Sequence, residues 1–169
     1  MIIAETPRLI ISEFQIQDAP FYLELLSAPK WIQYIGDRNL KSVEDAEKYL
    51  SEKTIPAYKN QGFGFYKITL KENNKPIGTC GLIKRVELEH TDIGFALLPH
   101  YEGKGFGFEA TEVILELANS KFHLKTIFGI TLEQNSDSIK LLEKLGLTFE
   151  KKIKPFEDDK ELLLFVKNL

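Results

Sequence analysis

The chain has 169 residues, with 22 Lys and Arg against 25 Asp and Glu, for a net charge of −3. That balance excludes a whole-protein nucleic-acid binder or a polybasic membrane protein and leaves room only for a local basic patch. A single cysteine, Cys80, excludes a disulfide framework and a cysteine-rich metal site; His90, His100 and His123 lack zinc-type spacing, so no metal is expected.

The N-terminal MIIAETPRL has no basic leader, and no apolar run approaches the roughly 18 residues of a membrane span. A cytoplasmic protein without membrane contact is therefore expected. No linker or repeat divides the chain, so residues 1–169 read as one domain, long enough to bury roughly 70% of its unfolded surface.

Arg8–Phe14 reads as a first strand, rich in β-branched residues after Pro7. Phe21, Tyr22, Leu25 and Leu26 give a short helical face ending near Ala28-Pro29. Ser42, with Asp45 three residues on, caps a second helix carrying Val43, Ala46, Tyr49 and Leu50. Phe65–Lys71 alternates with period two, placing Tyr66, Ile68 and Leu70 on one side. Glu72–Pro76 is a turn and Ile77–Val86 its hairpin partner; a strand over Thr91–Leu98 then stops at Pro99. Cys80, within that apolar hairpin strand, reads as a small buried hydrophobe.

Gly103, Gly105 and Gly107 make a tight turn into a helix with an apolar stripe at Ala110, Val113, Ile114, Leu117 and Ala118. Free amides at such a helix start suit a phosphate or pyrophosphate, although a bare GxGxG is equally a surface turn. Thr126–Glu133 is a strand. Asn135 or Ser136 caps a helix ending at Gly146, with Ile139, Leu142 and Leu145 inward. Leu147–Lys154 and Glu161–Lys167 form a closing hairpin. His100 and His123 flank helix ends as surface or capping groups. The order β–α–α–β–β–β–α–β–α–β–β predicts a mixed α/β sheet, antiparallel before the central helix and locally parallel after it.

Asp92 through Ala110, DIGFALLPHYEGKGFGFEA, resembles the central motif of the GNAT acetyltransferases, and most closely that of their RimJ/RimL branch. Three further segments resemble that branch in the right order: Thr6-Pro7-Arg8-Leu9, Ile35-Gly36-Asp37 with the Ser42 helix, and Asn135 through Gly146. The resemblance implies the GNAT fold, a mostly antiparallel sheet of six to seven strands with splayed central strands and helices on both faces. It also implies acetyl-CoA as donor, bound by Gly103, Lys104, Gly105, Phe106, Gly107 and Phe108 at the pyrophosphate. Phe95, Leu97 and Leu98 would lie along the pantetheine arm, held also by Asn135 and Ser138. Lys104 and Lys144 would add charge near the phosphates.

Two positions depart from the family pattern. Glu102 stands where many members carry Gln or Arg and is expected to turn to solvent. Leu142 stands where many carry the tyrosine that protonates the thiolate, which leaves Ser138 or water for that role. Glu157, in the closing loop, is the preferred candidate base for an α-amine acceptor, and Asp92, at the start of the splayed strand, is the other candidate. Trp31 and Tyr34 are candidates for the acceptor pocket. The implied reaction is direct transfer to a primary amine, with a protein N-terminal α-amine as leading acceptor. A polyamine, amino sugar or aminoglycoside is the alternative, as is a non-catalytic acetyl-CoA-binding module. An acidic groove would favour cationic acceptors, and a monomer or homodimer is expected.

Overall fold

The computed structural model describes residues 1–169. Eight strands form one sheet in the order β1-β2-β3-β4-β5-β6-β8-β7. They are β1 (Ile2–Glu5), β2 (Leu9–Glu13), β3 (Phe65–Leu70), β4 (Pro76–Ile83), β5 (Asp92–Leu97), β6 (Thr126–Thr131), β7 (Thr148–Ile153) and β8 (Leu162–Asn168). All neighbours are antiparallel except β5 and β6. The short edge strand β1 is the eighth strand, one beyond the number expected from the family pattern. Its four residues, too few to show a period, pair with β2.

Six helices flank the sheet: α1 (Ala19–Leu26), α2 (Pro29–Tyr34), α3 (Val43–Tyr49), α4 (Ile55–Asn60), α5 (Phe106–Ser120) and α6 (Ser136–Lys144). Pro29, expected to end the first helix, instead opens α2, where its missing N–H costs nothing. Ser42 caps α3 as expected, accepting from the Asp45 amide at 3.1 Å. Between α3 and α4, Leu50–Thr54 forms one wide π turn in which the Ile55 N–H donates to the Leu50 carbonyl. Pro56 follows directly, and the wider turn accommodates a residue that has no N–H to give.

Two apolar clusters hold the helices to the sheet. The larger joins the inward residues of β2–β4, including Tyr66, Ile68 and Cys80, to α5 and α6 through Ala110, Ile114, Leu142 and Leu145. The buried stripe of α5 runs through Phe106, Ala110, Thr111, Ile114, Leu115 and Ala118, rotated from the expected one so that Val113 and Leu117 are only half-buried. The smaller cluster packs Phe14, Tyr22, Leu25, Trp31, Ala46 and Leu50 on the other side, against Ala96 and Leu98. Cys80 is fully buried, and burial pushes its thiol above the range in which it would react.

Close backbone approach between β4 and β3 requires glycine at position 81. A Cβ there would lie 2.1 Å from the Gly64 carbonyl oxygen and 2.7 Å from the Phe65 Cα. Backbone cannot swing aside, so Gly81→Ala should cost about 1–3 kcal/mol, as overpacking does. The measurement is the urea midpoint, which an unchanged value would contradict.

Candidate active site

β5 is fully paired on one side only. It makes six register pairs with β4, whereas its parallel contact with β6 is a single pair, Asp92 with Phe128. β6 in turn makes six pairs with β8. Each strand is held from outside, so the two diverge beyond Asp92. The Leu98 amide donates to the Ile77 carbonyl at 2.8 Å. By strand alternation, Phe95 and Leu97 therefore turn their N–H and C=O groups toward the gap. Leu98 spends its amide on β4 and packs its side chain in the smaller cluster, away from the gap.

A cleft of about 910 Å³ occupies this gap and is lined from both faces of the sheet. On one side stand the glycine turn, Phe108 and the start of α6; on the other, residues of α1, α2 and the π turn. Gly103 and Gly105 adopt left-handed backbone angles, φ +72° and +84°, which favour glycine. A Cβ on Gly107 would stand 3.5–3.9 Å from Leu141, Leu97 and Phe95, all on the cleft wall. The six consecutive amides of Gly103 to Phe108 make no hydrogen bond with the protein. Six unpartnered donors beside a cleft, at the positive end of a 15-residue helix, form a cradle for an anion.

The turn is held by Arg8, which belongs to the opening Thr6-Pro7-Arg8-Leu9 motif but carries no role there. Its guanidinium donates to the Lys104 carbonyl at 3.0 Å and to Glu109 at 2.7 Å, and lies 4.3 Å above the Phe106 ring. Glu109 also accepts from the Thr6 hydroxyl at 2.6 Å and the Arg8 amide at 2.9 Å. Burial is the largest single influence on the Glu109 carboxyl and pushes its pKa up. The hydrogen bonds from Thr6 and Arg8 together outweigh it and hold the carboxyl below its usual range. Phe106 is thus a packing residue beneath Arg8 and does not line the cleft. The Lys104 ammonium lies 5.9 Å from the Tyr101 ring, also off the lining. Lys144 does line it, with its ammonium 4.2 Å from the Phe108 ring centre.

Glu102 does not turn to solvent. It lines the cleft, and its carboxylate accepts from Lys30 Nζ of α2 at 2.6 Å, so the misplaced charge is neutralised across the cleft. Asn135 and Ser138 both line the cleft. Asn135 Oδ1 accepts from the Ser138 amide at 3.3 Å, capping α6 and leaving the Asn135 amide NH₂ free. The Ser138 hydroxyl has no partner within the protein. Leu142, at the position of the family tyrosine, is buried against Gly129.

Of the two candidate bases, Asp92 lines the cleft and Glu157 does not. Asp92 is 2% exposed, and Arg85 Nε donates to its Oδ1 at 2.9 Å. Burial raises its pKa from 3.8 to about 6, with the Arg85 charge pulling the other way. Glu157 is exposed, whereas its neighbours Phe156 and Asp158 reach the cleft. A loop position shifts by one residue without any periodic signal, so sequence alone could not separate Glu157 from Asp158. Trp31 and Tyr34 line the cleft from α2. No group of three His, Cys, Asp or Glu is arranged to hold a metal ion.

A carboxyl whose pKa is higher folded than unfolded binds more protons in the native state between the two values. Stability therefore falls as pH rises from 3.8 to about 6, and the penalty is complete above that. Asp92→Asn should flatten this part of the stability–pH profile. Urea midpoints at about pH 4 and about pH 7 test it, and an unchanged slope would contradict the assignment.

A profile of the Acetyltransferase (GNAT) domain family matches residues 8–148. The chain is 27% identical over 163 residues to the "uncharacterized N-acetyltransferase p20" of Bacillus licheniformis, covering 95% of this chain and 90% of that one. It shares its fold with RimL, a ribosomal L7/L12 α-N-protein acetyltransferase solved with coenzyme A. The TM-score is 0.85 at 16% identity, over 100% of this chain and 98% of that one. A spermidine N-acetyltransferase SpeG chimera from Vibrio cholerae and hSSAT has a TM-score of 0.75 at 15% identity, covering 94% and 93%. The RimJ/RimL resemblance of the motifs is thus matched by a fold neighbour of that branch. With the family profile spanning most of the chain, the protein belongs to the GNAT family and is an acetyl-CoA-dependent N-acetyltransferase.

Proposed function

We propose that this enzyme, one catalytic domain over residues 1–169, acetylates a protein N-terminal α-amine. The observation that carries the reading is Asp92, a buried carboxylate in the cleft at the root of the splayed strand, with a pKa near 6. An α-ammonium titrates at about 8, about 2 units above Asp92, so the proton transfer costs about 3 kcal/mol. For a lysine-type amine at about 10.4 the gap is about 4.4 units and the cost about 6 kcal/mol. Below both amine pKa values an α-amine presents about 250 times more of the neutral, attacking form than a lysine-type amine does, whichever base takes the proton.

When bound, acetyl-CoA supplies the thioester whose acetyl group moves to the amine. The free amides of Gly103 to Phe108 hold the pyrophosphate, with Lys144 nearby. The gap-facing backbone of Phe95 and Leu97 and the free Asn135 amide hold the pantetheine arm and orient the carbonyl. Trp31 and Tyr34 wall the acceptor side. Asp92 takes a proton from the ammonium, directly or through one water, and Arg85 fixes its orientation. The Ser138 Oγ–H donates to the leaving sulfur. Glu157, outside the lining, has no part in this sequence.

Gly107→Val would place branched carbon on the cleft wall and should weaken acetyl-CoA at least tenfold, measured by titration calorimetry. Wild-type protein at 100 times Kd should gain about 2.7 kcal/mol of stability. An unchanged Kd in Gly107→Val would contradict the cradle.

Asp92→Asn should lower kcat about 100-fold on a peptide with a free N-terminus, as loss of a general base does. It should also remove a limb of the rate profile that rises with pH through about 6. Glu157→Gln should keep both. CoA release is the readout, and equal turnover of an N-terminally blocked, lysine-containing peptide would overturn the α-amine reading.

A further inference from the structure

Away from the glycine turn and α6, the cleft lining carries free charge of one predominant sign. Arg38 comes from the α2–α3 loop, Lys53 from the π turn and Lys160 from the β7–β8 loop, and all three line the cleft. None of the three makes an ion pair. Two further lining cations are already paired, Arg85 with Asp92 at 2.9 Å and Lys30 with Glu102 at 2.6 Å. Two lining carboxylates are unpaired, Asp137 at the start of α6 and Asp158, which already accepts the Lys160 backbone amide at 3.1 Å.

This excess is local, since the chain as a whole carries −3. It is also separate from the phosphate cradle, which lies with the glycine turn and α6, where Lys140 and Lys144 stand. Three loops or turns, far apart in sequence, each deliver an unpaired cation to the cleft. Arg38 stands close enough to Tyr22 for its charge to act on that phenol, and Tyr22 in turn bonds Thr54 at 2.8 Å, next to Lys53.

We infer that the acceptor carries anionic groups beside its reacting amine, as a protein N-terminus followed by Asp or Glu does, and that polycationic amines are rejected there. The inference rests on the α-amine reading for the identity of the amine, and adds the charge of the residues next to it. A carboxylate on the second to fourth residue meets Arg38, Lys53 and Lys160 at exposed positions, where each pair contributes modestly and salt weakens it. A polyamine brings further positive charge against the same three groups. The acidic groove that would favour such acceptors is absent here.

The test uses three peptides with one N-terminal serine and Glu, Gln or Lys at the next three positions. Spermidine and O-phosphoethanolamine serve as small-molecule arms, with kcat/KM read by CoA release. The expected order is Glu above Gln above Lys, with at least tenfold between the extremes at low salt and less at 0.5 M NaCl. In the double variant Arg38→Glu/Lys53→Glu the order should invert, with the acetyl-CoA thermal shift retained as proof of folding. Equal rates for the three peptides would overturn the inference and leave the α-amine reading standing. Turnover of spermidine but of no peptide would overturn both. Turnover of O-phosphoethanolamine alone would overturn the protein acceptor and support the anionic one.

Discussion

Everything at this site depends on two adjacent parallel strands that share only one pair of residues. β5 is locked to β4 and β6 to β8 over six pairs each, so neither can close on the other without losing pairs on its far side. An unpaired strand edge normally invites another strand. Here it lies inside the sheet, where its free N–H and C=O groups face the cleft. The buried carboxylate of Asp92 sits at the last point of contact, where the sheet is still closed. Beyond it the gap widens into the cleft.

The glycine turn solves the remaining problem, which is to hold a flexible loop as a rigid anion cradle. Positive φ at Gly103 and Gly105 turns the chain so that six amides stay free, and such a loop would be floppy without support. Arg8 supplies that support from the β1–β2 corner, binding the turn through one carbonyl, one carboxylate and one ring. The Thr6-Pro7-Arg8 segment therefore supports the glycine turn although it lies almost 100 residues away in sequence. The Lys30–Glu102 pair spans the cleft and cancels the carboxylate that stands next to the glycine turn.

Legibility in the sequence tracked the range of the interactions involved. Periodic signals over whole elements placed β3, β4, β5, α5, α6 and the closing hairpin within a few residues. The Ser42 cap and the Gly146 helix stop, with φ +92°, were local and readable for the same reason. Short elements were not: β1 has four residues and α2 six, and Pro29 reads equally as a stop or a start. The rotation of the α5 stripe reflects packing against β4 and β5, which no helix period specifies. The cleft residues on strands and helix starts were found through the family motif. Arg8, Arg85, Lys30 and Asp158 were missed as site residues because each is defined by a partner distant in space or by one step of loop register.

The proposed donor site stands or falls with the free amides of Gly103 to Phe108 and the gap-facing amides of Phe95 and Leu97. Amide hydrogen exchange followed residue by residue, with and without acetyl-CoA, is the decisive experiment. Exchange should slow at these eight amides on binding, while amides already paired between β3 and β4 keep their rates. Unchanged exchange at Gly103 to Phe108 in the saturated protein would contradict the cradle and the cofactor placement built on it.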